Sequence, residues 1–300
     1  MREDSGLTDK MTEVTSPGHK LGQLIGNFFE SLFADDLIDL SSKHGCYCDR
    51  KGLRPRARGN STKVTWTDKY GNKHDLDYVI EKGGSRRKRG TPVAFIELAW
   101  RRYTKHSRNK TGELEGSLLP LRESYQSCGF LGAILAGEYT EGGKRQLTSH
   151  NINVLHIPFT VLADSFKKHG VDLGYPESAG NDRKRSIIRR WEGLSKRHIK
   201  QVENHLKATI EKEYSAFKDA LEKSLLRTIE AVVILPLYGS ELVFTSVNEA
   251  IQTLTDLRNE QPTARKFVKY EIQIRFGNGD RVEGTFHSKD KALEFLRTFV

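Results

Sequence analysis

The segment VAFIELAW, residues 93–100, is apolar along its whole length except for Glu97 near its centre. Bounded by the basic stretches SRRKRG and RRYTK, it reads as a strand of a buried sheet. An ionised carboxylate without a partner is costly to bury, so this strand constrains whatever lies beside it. The preceding run DLDYVIE, residues 75–81, places Asp75 and Asp77 on one face, because strand side chains alternate. On the later strand Val93, Phe95, Glu97, Ala99 and Arg101 share a face, opposite Ala94, Ile96, Leu98 and Trp100. Pairing of the two runs through the basic hairpin sets Asp77 beside Glu97. Two adjacent carboxylates raise each other's pKa unless a cation lies between them. All-oxygen ligation then favours Mg2+ or Mn2+. The competing reading pairs Glu97 with Arg101 or Arg102 as a structural carboxylate, and Asp75 is expected to be a solvated strand-end residue.

The surrounding pattern predicts alternating helices and strands. Residues 1–17 read as a loose polar tail, with Ser16 and Pro17 as helix cap and first turn. Leu21, Leu24, Ile25, Phe28, Phe29, Leu32 and Phe33 recur at helical spacing, predicting a helix to about residue 40, with Gly22, Gly26 and Glu30 on another face. STKVTWTD and KHDLDYVIE read as two strands joined by the turn KYGN, and Arg50 to Arg58 as a basic loop. After VAFIELAW come a helix over 110–125, a buried strand GFLGAILAGEY, a short helix near 144–147 and a strand INVLHIPF. This order predicts an α/β layer with its sheet covered on both faces, spanning residues 18–170. Residues 171–229 form a basic helical segment, in which Ile199, Val202, Leu206, Ile210, Tyr214, Phe217, Leu221 and Leu225 trace one stripe of a long helix. That helix reads either as a link between domains or as an oligomerisation surface. Residues 230–300 carry a repeat, in which Phe244, Ser246, Ala250 and Leu254 match Phe286, Ser288, Ala292 and Leu296. The repeat predicts a small ββαββα module.

A formal charge of +10 points to a polyanionic partner, nucleic acid before membrane. Three cysteines argue against a disulfide framework and suit a reducing compartment. His44, Cys46 and Cys48 lack a second ligand pair to complete a zinc site and read as loop residues. The opening MREDSGLTDK has no apolar core of a signal sequence, and no run of 18 apolar residues occurs, so a cytoplasmic protein without membrane contact is expected.

An Asp ending one strand, a Glu some twenty residues later in an apolar strand, and a preceding helix carrying Glu30 resemble the restriction-endonuclease-like, or PD-(D/E)XK, nuclease superfamily. The likeness covers residues ~18 to 165 and implies an α/β fold. That fold would be a restriction-endonuclease-like central mixed sheet flanked by helices, followed here by a long connecting helix and a small C-terminal α+β (ββαββα) module. It further implies a Mg2+-dependent endonuclease with Asp77 and Glu97 as metal ligands and Glu30 completing the site. The family's lysine, two positions after the glutamate, is Ala99 here, and no proline precedes the aspartate. Lys105, Lys110 or Arg101 would have to replace the lysine. Arg86, Arg87, Lys88, Arg89, Arg101, Arg102, His106 and Arg108 are the expected nucleic-acid contacts, flanking the carboxylates on both sides. The implied protein is a prokaryotic restriction or phage-defence enzyme that cuts DNA as a homo-dimer or higher homo-oligomer, with the C-terminal module serving target recognition or a partner protein. The competing reading is a non-catalytic DNA-binding or assembly protein on a decayed nuclease fold. An RNA-directed nuclease is a third.

Overall fold

The structure, a computed structural model, describes residues 16–52, 54–55, 58, 62–104, 107–236, 242–256 and 268–300. Helix α1 (Pro17–Leu32) begins where the sequence predicts: the Ser16 hydroxyl accepts from the His19 amide at 3.3 Å, and Pro17 holds the first helical position. Its apolar face buries Leu21, Ile25, Phe28, Phe29 and Leu32. A turn at Phe33 leads to α2 (Ala34–Lys43) and then to β1 (Cys46–Arg50). The ribbon β2 (Val64–Thr67) and β3 (Lys73–Leu76) precedes β4 (Tyr78–Lys82) and β5 (Thr91–Arg101). Next come α3 (Ser107–Ser124), β6 (Phe130–Gly137), α4 (Glu141–Ser149), β7 (Asn153–Ile157) and α5 (Phe159–Lys167). Three further helices follow: α6 (Asn181–Glu192), α7 (Lys196–Thr209) and α8 (Glu211–Leu225).

The central sheet has the order β1-β4-β5-β6-β7, antiparallel across its first two pairings and parallel across the last two. It is a mixed sheet with helices on both faces. One face buries Ile80, Ala94, Ile96, Ile134 and Leu155 under α1, α2 and α5 to α8. The other buries Phe95, Ala99, Leu131 and Leu135 under α3, α4 and the ribbon. At the end of β6, Gly137 has φ of 99°, and a Cβ there would run into the backbone of Arg101, so glycine alone fits.

Five sequence expectations need correction. The run read as a single strand, KHDLDYVIE, breaks at Asp77 and passes there from the ribbon into the central sheet. STKVTWTD correspondingly belongs to a separate two-stranded sheet. The strand beside β4 is instead Cys46–Arg50, whose cysteines are strand residues and not loop residues. A bulge opposite Ile80 and Glu81 turns Val93 toward the α1 face, away from Phe95 and Glu97. Finally, the long helix is two helices, parted at Ile210. Its stripe of Val202, Leu206, Ile210, Tyr214, Phe217 and Leu221 is buried in the same core as α1. The stripe is not a free assembly surface, because it covers its own sheet, and α8 runs on into the C-terminal unit.

The C-terminal portion is the expected ββαββα unit. Strands β8 (Ile229–Pro236), β9 (Leu242–Phe244), β10 (Tyr270–Phe276) and β11 (Arg281–Phe286) form an antiparallel sheet in the order β11-β10-β8-β9. Helices α9 (Val247–Asp256) and α10 (Lys289–Arg297) pack with it around Val232, Ile272, Ile274, Leu254 and Leu296. Ser288 caps α10, accepting from the Lys291 amide at 3.4 Å. The turn LYGS and the tail ahead of Ser16 lie outside the described residues. Among the described residues no helix is long and apolar enough to cross a membrane.

Phe217 of α8 meets Phe130 of β6 edge-on at 5.3 Å and lies over Gly132. Phe217→Ala is therefore expected to destabilise the fold by about 3–5 kcal/mol in urea titration, a core-sized loss. The exposed Leu226 just beyond α8 sets the comparison: Leu226→Ala should stay within about 0.5 kcal/mol of the parent.

Candidate functional site

The register of β4 on β5 matches Tyr78 with Ile96 and Val79 with Phe95, so the next position outward sets Asp77 opposite Glu97. On the other side of β4, Arg50 matches Tyr78, and the Lys51 amide donates to the Asp77 carbonyl at 3.0 Å. Lys51, Asp77 and Glu97 thus follow one another across three adjacent strands. Asp77 occupies the point where the chain leaves the ribbon, and its Oδ2 accepts from the Leu98 amide at 2.7 Å. The side chain stands in for a carbonyl at the end of the ladder. Glu97 is 9 % exposed and accepts from the Ser117 hydroxyl of α3 at 3.2 Å.

Burial is the largest influence on Glu97, and the charge of Asp77 adds to it; together they push its carboxyl up to about 8. Lys110 and the Ser117 hydrogen bond pull the other way. Asp77 is raised by the same burial, opposed by the Leu98 amide, with Glu30 adding repulsion and Lys51 relieving it. Each carboxyl is thus held toward its protonated form, by burial first and by its neighbour's charge after that. A divalent cation fits this donor set: two hard oxygen ligands, each disfavoured in its charged form until a positive charge arrives.

Glu30 lies at the same site on different terms. Its carboxylate pairs with Lys51 Nζ at 2.8 Å, and its backbone carbonyl accepts from the Tyr78 hydroxyl. Burial works against the Lys51 charge, but Glu30 outweighs it and holds the ammonium above its usual pKa. A cleft of about 140 Å3 opens among Asn27, Glu30, Lys51, Asp77 and Tyr78. Among the described residues no three His, Cys, Asp or Glu side chains converge as a ready-made metal set. His44 pairs with Glu222 at 2.7 Å, and burial pushes the Cys48 thiol up to about 12.

The other expected site residues disperse. Asp75 is exposed and bound by Lys63 and Thr65, both at 2.6 Å. Arg101 donates to the Trp100 carbonyl and sits 3.7 Å from Glu113, which also binds Lys110 at 3.0 Å. Arg102 lies 3.9 Å from the centre of the Tyr175 ring and 4.4 Å from that of Phe159, so it is held in an aromatic cage rather than offered to a phosphate. Neither arginine pairs with Glu97, which removes the salt-bridge reading of that residue. Ala99 is buried with Tyr139 and Leu147. Arg108 is exposed on the first turn of α3, and Lys105 and His106 lie outside the described residues.

The hairpin 83–90 does not flank the carboxylates: Glu97 is six strand residues from Thr91, roughly 20 Å at the usual rise. Arg86, Arg87 and Lys88 are nonetheless exposed on a turn with a rigid footing. The Ser85 hydroxyl accepts from the amides of Arg87 and Lys88, and the Lys88 carbonyl accepts from Arg58 at 2.6 Å. Arg89 folds back at 5.1 Å over the Trp66 ring. The footing is a fully buried ion cluster. Arg58 bonds both Asp49 of β1 and Glu81 of β4, and Arg54 grips Asp49 in turn. Two cations of the stretch read as a basic loop, Arg54 and Arg58, are therefore internal.

Sequence reasoning missed Lys51, the residue beside Asp77. Its signal would have been the recognition of CYCDR as a strand, since only then does the residue after Arg50 fall next to Asp77.

No family model matches the sequence, and no curated protein is similar to it. A solved structure, the crystal structure of a protein of unknown function, AF1548, aligns with 61 % of this chain and 98 % of its own. Identity is 14 % and the TM-score 0.29, a likeness too slight to bear on fold or function.

Glu97 binds its proton more tightly folded than unfolded, so the folded state carries the extra proton and stability falls as pH rises from 4.5 to about 8. In chelator-treated protein the urea midpoint should drop across this window, and Glu97→Gln should flatten the drop. Arg58→Ala, which leaves Asp49 and Glu81 buried with less counter-charge, is expected to lose roughly 3–5 kcal/mol in the same titration.

Proposed function

We propose that this chain is a divalent-metal-dependent DNA endonuclease of the restriction-endonuclease-like fold. The observation that carries the reading is the placement of Asp77 and Glu97 at the outer end of the β4–β5 pairing, where Asp77 Oδ2 accepts from the amide next to Glu97, with both carboxyls held protonated more readily than free ones. The order of elements supports it: two helices, the antiparallel strands β1, β4 and β5 with the β2–β3 ribbon inserted after β1, a helix, and β6 parallel to β5. A net charge of +10 supports a polyanionic substrate.

Asp77 and Glu97 would hold Mg2+ or Mn2+. Such an ion polarises a phosphoryl oxygen and makes a water a better nucleophile at neutral pH. The chain's own part is to keep the two oxygens in register, through the Leu98 amide on Asp77 and the Ser117 hydroxyl on Glu97. Overall, the oxygen of water bonds to phosphorus, one ester P–O bond breaks, and the leaving oxygen takes a proton as the water's own proton goes to solvent. The exposed Arg86, Arg87 and Lys88 lie roughly 20 Å along the sheet, about six phosphates of one strand away, and would seat the duplex. A restriction or defence role in a prokaryotic cytoplasm, and assembly into dimers for cutting both strands, extend the same proposal. A specific observation also favours a second reading, a DNA-binding protein on a decayed nuclease fold: Ala99 is buried and offers no lysine.

Supercoiled plasmid incubated with purified protein and Mg2+ separates the two. Cleavage should appear with Mg2+, vanish with chelator, and fall on the order of 100-fold or more in Asp77→Asn and in Glu97→Gln. Activity persisting in both variants would sink the nuclease reading. Salt-sensitive DNA binding without cleavage would select the second. A parallel RNA substrate tests nucleic-acid preference. Mn2+ binding by calorimetry should tighten as pH rises toward 8.5 on a roughly single-proton slope, because Glu97 must release its proton.

A further inference from the structure

We propose that Glu30 and Lys51 form a unit separate from the cation ligands, in which Lys51 faces the phosphate and its attacking water and Glu30 positions Lys51. This rests on the nuclease reading above and divides its site in two. Asp77 and Glu97 lie together at the outer end of the β4–β5 pairing, where Asp77 accepts from the Leu98 amide, whereas Glu30 is paired with an ammonium 2.8 Å away. Two carboxylates already match the charge of a dication, so an incoming phosphodiester brings a negative charge that needs its own counter-charge. Lys110 is turned to Glu113 and does not line the cleft beside Asp77; Lys51 does.

The backbone explains why Lys51 is held there. Its amide is tied to the Asp77 carbonyl, which fixes the residue one strand over from the carboxylate. Glu30 is fixed independently, because the Tyr78 hydroxyl, one residue beyond Asp77, donates to the Glu30 carbonyl. The cleft between them, about 140 Å3, has room for a few waters at roughly 30 Å3 each, and its walls carry two cations, Arg50 and Lys51, of which Lys51 is the one paired with Glu30, together with one positioning carboxylate and one ligand carboxylate. Ala99, on the far side of Glu97, is sealed in the core with Tyr139, so the ammonium is supplied from the opposite flank of the pair. The arrangement assigns Glu30 away from metal ligation.

Two readouts on the full-length protein test this: Mn2+ binding by calorimetry, and plasmid cleavage at saturating Mn2+. Lys51→Ala and Glu30→Gln should keep Mn2+ affinity within about threefold of the parent, while Asp77→Asn abolishes it. Both should slow cleavage, Lys51→Ala by about 100-fold, the scale of losing one charge-stabilising donor. Lys51→Arg should recover part of that rate, and the Glu30→Gln/Lys51→Ala double variant should be no slower than Lys51→Ala alone. Loss of Mn2+ affinity in Glu30→Gln as large as in Asp77→Asn would overturn the division, as would parental cleavage by Lys51→Ala. If the parent itself cuts nothing, the nuclease reading fails on the cleavage arm, and the calorimetry alone still decides whether Glu30 belongs with the ligands.

Discussion

The buried cluster of Asp49, Arg58, Glu81 and Arg54 is the interaction on which the site end of the molecule depends. Breaking a buried ion pair strands an uncompensated charge, so its members are committed to one geometry. Asp49 belongs to β1 and Glu81 to β4, and one guanidinium bonds both. That bond holds the edge strand in its register on β4, and the register sets Lys51 beside Asp77. The same guanidinium reaches the Lys88 carbonyl, and Glu81 accepts from the Gly90 amide at 2.7 Å. One cluster therefore fixes the edge strand, the basic hairpin and, through β4, the position of the carboxylate.

At the other end of β4 the logic inverts. Glu81 is buried with its counter-charge, but Asp77 and Glu97 are gathered with too little, and both are pushed toward their protonated forms. The contrast lies within one strand and its neighbours. A structural acid is answered by arginine from its own chain, while the acids at the site are gathered with each other.

Much of this was legible in the sequence because it follows from periodicity and cost. Glu97 in an apolar strand demanded a partner, alternation named Asp77, and the Ser16–Pro17 helix start and the ββαββα repeat followed from capping and spacing. What stayed hidden depends on pairing over distance. CYCDR has no apolar alternation to mark it as a strand, because its inward side chain, Asp49, is satisfied by arginines farther along the chain. Without that strand Lys51 reads as one more basic loop residue. The break at Ile210 left no mark either, since the apolar stripe continues through it and only the underlying sheet decides where the helix must bend.

The ribbon that delivers Asp77 closes a ring whose links can be followed side chain by side chain. At its tip, the Lys69 amide bonds the Ser124 hydroxyl at 2.7 Å, and the Tyr70 hydroxyl reaches Glu123 at 3.2 Å, both on the last turn of α3. Two turns back on that helix, Ser117 bonds Glu97. From Glu97 the path crosses to Asp77 and returns down β3 to the tip. One helix, α3, thus touches both the surface tip of the ribbon that delivers Asp77 and the buried Glu97.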